Sequence, residues 1–175
     1  MRTRHRVTTA LLALALAGAS PGTALATGQG HDDAFLKKIH QGNLAEIAAG
    51  RDSRHGGVAR CVKEVGRVLV RDHRKLDDGV KDLAHRFDVS LPRDVSEEQR
   101  RDLKRIHRKA HSRRYDRAWL KAQEAGHAGA LKLIDEEIAH GEDADVRKAA
   151  TSARPVVARH LEMVRDCMAA TRHRR

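Results

Sequence analysis

Aromatic side chains are almost missing from this chain: its 175 residues hold two phenylalanines, one tyrosine and one tryptophan. Phe35, Phe87, Tyr115 and Trp119 are all needed to fill a core. No row of rings is left over for stacking bases, and specific nucleic-acid binding is not expected. Nowhere do Val, Ile and Thr alternate with polar residues at the period of a strand, which argues against a sheet. Glycine-rich phosphate loops are missing too. Ser53, Ser90, Ser96, Ser112 and Ser152 lack the glycine context of a nucleophile elbow, so a non-enzymatic role is expected. No apolar run reaches the ~20 residues that span a bilayer.

The longest such run, Val7 to Ala19, follows Arg2, Arg4 and Arg6 and is closed by Ala24-Leu25-Ala26. Charge, then a short apolar stretch, then small-x-small is the grammar of an export signal, with cleavage expected after Ala26. Residues 27–175 would then form one domain, long enough to bury a core. Neither cysteine, Cys61 or Cys167, lies near the cut, which argues against a lipid anchor. The net charge is +11, and losing the three leader arginines leaves +8. A basic exported protein meets anionic surroundings, so a cell-wall polymer or a lipid surface is the expected partner. It would be met by the connector cations Arg100, Arg101, Lys104 and Arg105 and by the tail Arg172-His173-Arg174-Arg175. The plainer reading is that the charges solvate long helices, since the signs alternate through most of the chain.

Four long helices are expected. The first follows a polar leader at Thr27–His31 and runs from Asp33 to Ser53, with Phe35, Ile39, Gly42, Glu46 and Ala49 on one stripe. Gly56-Gly57 ends it, and the second spans Val58 to Phe87. Residues 88–111 form a connector in which Ser96-Glu97-Glu98-Gln99 is a capping box opening a short basic helix. The third long helix covers Arg113 to Ala139. The fourth starts near Asp143 or Asp145 and reaches Thr171, with a kink expected near Thr151 because Pro155 removes a backbone donor.

Each long helix carries a ligand-type residue on its apolar stripe: Glu46, His73, His127 and His160. Glu124 precedes His127 at E-x-x-H spacing, which brings a carboxylate and an imidazole to one metal in bundle cores. Glu46, His73, Glu124, His127 and His160 are thus the candidate ligands of a single transition-metal ion. Val70 and Val157 stand three residues before His73 and His160, so the set is poor in oxygen ligands for a di-iron site. Three imidazoles with a carboxylate suit zinc, copper, nickel or ferrous iron. The alternative is a polar cluster that locks helix register without metal.

Val70-Arg71-Asp72-His73, Tyr115-Asp116-x-x-Trp119-Leu120, His127, and Pro155-x-x-x-x-His160-Leu161 occur in this order. The pattern resembles a family of secreted bacterial domains of unknown function, often labelled putative outer membrane proteins. The resemblance covers Asp33 to Ala169 and implies an all-α, ferritin-like four-helix bundle with a long crossover containing a short extra helix. Tyr115 and Trp119 stand where Phe and Tyr are usual in the family, and Glu124 where an apolar residue is usual. A ferritin-like crossover makes the second and fourth long helices antiparallel, which would put Cys61 and Cys167 at the same end. With His73 and His160 at one level, Cys61 lies ~18 Å above and Cys167 ~10 Å above, leaving ~8 Å to be absorbed before a disulfide can close.

Overall fold

A computed structural model describes residues 26–172, so the expected export signal, apart from Ala26, and the last three residues of the basic tail lie outside the described residues. Five helices and no strand are present among the described residues: α1 (Ala26–Gly56), α2 (Arg60–Arg86), α3 (Glu97–His107), α4 (Arg113–His140) and α5 (Ala144–Arg172). The chain is an all-α helical bundle, with α1, α2, α4 and α5 as its long members.

Hydrogen bonds at the two ends fix the topology. At one end, Asp32 of α1 accepts the amides of Glu142 (3.0 Å) and Asp143 (2.8 Å) in the α4–α5 turn, and Arg86 at the end of α2 pairs with Asp145 at 2.7 Å. At the other end, the Gly56 carbonyl accepts the His111 amide at 2.7 Å, and the Tyr115 hydroxyl donates to Asp52 at 2.8 Å. The chain therefore runs up α1, down α2, back up through the connector, down α4 and up α5. The connector is strapped to α1 on its way. His40 spans the Asp77 carboxylate (2.6 Å) and the Pro92 carbonyl (3.0 Å), and Gln41 donates to the Asp94 carbonyl. Ser96 and Gln99 form the expected capping box at the start of α3.

Several boundaries differ from those read in the sequence. Helix α1 begins at Ala26, so Thr27–His31 is helical rather than a leader. Asp32, inside this helix, turns its carboxylate to cap the α4–α5 turn, 110 residues away in sequence. Helix α2 begins at Arg60 rather than Val58, because the Asp116 carboxylate of α4 accepts the Val58 and Ala59 amides at 2.9 and 2.8 Å and holds that turn open. Its far end closes with Asp88 at φ 54°, where a short polar side chain tolerates the left-handed region. Helix α5 is continuous through Pro155.

Cys61 and Cys167 form a disulfide, with Cα atoms 5.7 Å apart. The ~8 Å offset expected from helical rise is absorbed by side-chain direction. Side chains lean toward the N-terminus of their own helix, so on antiparallel α2 and α5 the His73 and His160 rings reach toward each other from Cα atoms at different heights. The core itself is split in two. Phe35, Leu36, Val80, Leu83, Ile134 and Val157 belong to an apolar cluster at the α4–α5 turn end, and Val62, Val65, Leu69, Trp119, Leu120 and Val164 to another at the disulfide end. Between the two clusters lies a layer of histidines.

Candidate metal centre

His73 on α2, His127 on α4 and His160 on α5 each fall between the apolar residues of the two clusters, so helical phase aims all three inward. They are 5%, 1% and 1% exposed. Their ring centroids stand 5.6, 5.2 and 5.5 Å apart, and one nitrogen from each ring lies within 4.8 Å of the other two. Among the described residues this is the one group of three or more His, Cys, Asp or Glu side chains with metal-ligating spacing.

The hydrogen bonds around the rings decide which nitrogens are bare. His127 Nδ1 lies 2.9 Å from the Gln123 carbonyl, and His160 Nε2 lies 3.0 Å from Asp72. Neither partner has a hydrogen to give: one is a carbonyl, and the other is a carboxylate whose pKa the Arg71 guanidinium depresses to about 2. Both histidines therefore donate outward. His73 Nδ1 lies 2.9 Å from the Asn43 side-chain oxygen, which fixes the third tautomer in the same sense. The remaining nitrogens, His73 Nε2, His127 Nε2 and His160 Nδ1, are buried without a hydrogen-bond partner. Burial, reinforced by the His127 and His160 charges, pushes the His73 pKa down to about 3, and burial takes His127 to about 4. Burial also lowers His160, against the pull of Asp72. At neutral pH all three rings are uncharged and carry a free lone pair, the state that binds a metal.

The two carboxylates proposed from the sequence are placed differently. Glu124 lies on the outside of α4, with its side chain 35% exposed and paired to Arg165 of α5 at 3.0 Å. Three residues back from His127 is 60° round the helix, and a cation on the neighbouring helix holds the side chain there. Glu46 lies next to the centre, with Oε1 3.9 Å from His127 Nδ1, but on the ring edge turned away from the bare nitrogen. Burial raises its pKa to about 8, offset in part by Gln123. The donor set is therefore three imidazole nitrogens. Tetrahedral coordination at ~2.1 Å bonds brings nitrogens to about 3.4 Å from one another, so the rings would draw together by roughly an ångström around an ion and leave one position open.

Asn43, the Gln123 carbonyl and Asp72 escaped the sequence reading. They fix the orientation and tautomer of the three rings, as outer hydrogen-bond partners do where histidines bind metal. The stripe traced through Phe35, Ile39, Gly42, Glu46 and Ala49 runs beside the buried line Leu36, His40, Asn43, Ile47 and Gly50. The signal that could have found Asn43 was that parallel line, one residue on. Asp72 carried a signal of its own, its place beside His73 in the quoted Val70–His73 run.

No curated protein and no solved structure matches the chain. A family model described as a domain of unknown function (DUF4142) matches residues 17–167, and the chain belongs to that family.

Proposed function

We propose that this protein is an exported bundle of the ferritin-like kind that holds one transition-metal ion on His73, His127 and His160. The carrying observation is the convergence of three bare, buried imidazole nitrogens whose opposite edges are all hydrogen-bonded outward. A water molecule has two hydrogens and cannot serve three lone pairs, whereas one cation serves all of them. The set suits zinc, copper, nickel or ferrous iron. The single long crossover supports the ferritin-like assignment. The disulfide supports an oxidising compartment, and cleavage after Ala26 would leave nearly all of α1 in place.

Metal analysis of untagged protein, dialysed against each ion and then against buffer, tests this. One ion per chain is expected, lost in His73→Ala and in His160→Ala and kept in Glu124→Gln. Retention of metal by a variant lacking all three histidines would refute it.

The reading as a basic module for an anionic wall polymer or lipid surface is favoured by a different feature. Arg108, Lys109, Arg113, Arg114 and Arg117 surround a hollow of about 580 Å³ at the α3–α4 corner. None of the five is in an ion pair among the described residues, whereas Arg100 and Arg105 of the connector pair with Asp94, Glu97 and Asp102. Salt-sensitive retention on wall material should then fall on neutralising Arg113 and Arg117 rather than Arg100 and Arg105. The reverse order would put the contact on the connector.

A further inference from the structure

A cavity of about 1120 Å³ runs beside the histidine layer, lined by residues of all five helices. That is slightly above the usual range of small-molecule sites and far more than a metal ion fills. Its wall in the α4–α5 turn half is apolar, with Leu36, Ile39, Leu76, Val80 and Leu83 among its residues. At the histidine layer the wall becomes polar through Asn43, Glu46 and Gln123. Each of these has a buried atom without a hydrogen-bond partner among the described residues: Asn43 Nδ2, Glu46 Oε2 and Gln123 Oε1. Asn43 and Gln123 are only 3% and 4% exposed.

A metal on the three histidines does not satisfy these atoms. Asn43 and Gln123 meet the histidine rings at the Nδ1 edges, through the Asn43 side-chain oxygen and the Gln123 backbone carbonyl, and both rings turn Nε2 toward the centre. The unsatisfied set comprises one amide donor and two oxygens, grouped at the polar end of a mainly apolar chamber. A neutral head carrying both a hydrogen and an acceptor oxygen matches it. A carboxylate fits less well, because it has no hydrogen to give Gln123 Oε1, and the wall cations Arg71, Lys75, Arg105, Lys121 and Arg159 are all exposed at the surface rather than aimed at the head site. There is room to spare at Gly42, where an added Cβ would meet nothing within 4 Å.

We propose that this cavity binds a neutral amphiphile, with a hydroxyl or amide head held by Asn43, Glu46 and Gln123 and an aliphatic body against Leu36, Ile39, Leu76, Val80 and Leu83. The site does not depend on the metal reading, and its test is run with chelator present and again with metal added.

The probe is N-phenylnaphthylamine fluorescence on the full chain, displaced by octanol, decanol or decanoate. Decanol should displace it saturably, and roughly fifteenfold more tightly than octanol, since each of its two extra buried methylenes tightens binding about fourfold. Decanoate should be at least about tenfold weaker than decanol, the scale of one lost polar match. Gln123→Leu keeps the backbone carbonyl that orients His127, so it should erase the preference for alcohol over carboxylate while leaving probe binding in place. Gly42→Leu puts a branched side chain into the chamber close to the polar head site and should weaken probe binding in a protein whose circular dichroism and melting show it folded. Non-saturable uptake, equal displacement by decanol and decanoate, or undiminished binding by folded Gly42→Leu would each overturn the proposal.

Discussion

Stability of the metal-free protein should depend on pH in a way set by groups buried in the wrong charge state for water. His73 and His127, with pKa values near 3 and 4, stay neutral where the unfolded chain, with histidines near 6.5, takes up protons. Each such histidine costs about 1.4 kcal/mol of stability per pH unit as pH falls below 6.5, and His160 adds in the same direction. Glu46 and Glu137 oppose them. Burial raises these carboxyls to about 8 and about 7, so they keep protons that the unfolded chain releases above about 4.5, and their contribution is lost as pH rises. Between pH 4.5 and 6.5 the two effects roughly cancel. Below 4.5 the carboxyls are neutral in both states and the histidines act unopposed, at up to about 3 kcal/mol per pH unit for the first two just above pH 4, falling toward about 1.4 as His127 itself takes up a proton near 4. Above 6.5 only the carboxyl loss remains. A broad maximum with a steep acid side is expected. Asp72 and Asp135, held ionised by Arg71 and Arg154, steepen that side further. The diagnostic quantity is therefore the difference between parent and His73→Leu. Urea unfolding from pH 3.5 to 8.5 with chelator, followed by circular dichroism, should show the variant's slope below pH 4.5 shallower by about 1.4 kcal/mol per unit. Parallel acid limbs would refute the claim that this ring is buried neutral.

Two further outcomes test the frame around the centre. The disulfide closes a loop with a sequence separation of 106, and replacing both cysteines by Ala should cost about 5 kcal/mol on the chain-entropy scale, read as a shift in denaturation midpoint; a loss under about 1 kcal/mol would contradict that scale here. Where α1 and α2 touch, a Cβ on Gly50 would come within 2.6 Å of the Gly66 carbonyl oxygen, and one on Gly66 would collide with the Ser53 hydroxyl. Gly50→Ala and Gly66→Ala should each destabilise by about 1–3 kcal/mol despite alanine's better helix propensity, and a rise in melting temperature would show the contact to be slack.

Helix identity was readable because the apolar spacing of α2, α4 and α5 is regular and the stops at Gly56 and Gly141 are glycines. The three histidines were readable for the same reason, each being the polar member of an otherwise apolar stripe. What the sequence concealed are groups whose role is set by a distant partner. Asp32 and Asp116 look like ordinary helix-start acids until the turns they cap, 110 and 57 residues away, are in place. Glu124 carries the right spacing for a ligand, but spacing does not reveal that Arg165 waits on the outer side. Asn43 is one position away from the stripe that periodicity traces, and the Gln123 carbonyl, being backbone, leaves no mark in the sequence at all.

The bridge between Cys61 and Cys167 joins the α1–α2 hairpin to the α4–α5 hairpin by a second covalent route, in parallel with the crossover. A protease that severs the strap between Phe87 and Ser96 would leave a two-piece molecule still tied at the far end, its histidines still drawn from both pieces. The longest non-helical connection among the described residues is thereby one the molecule can lose without coming apart.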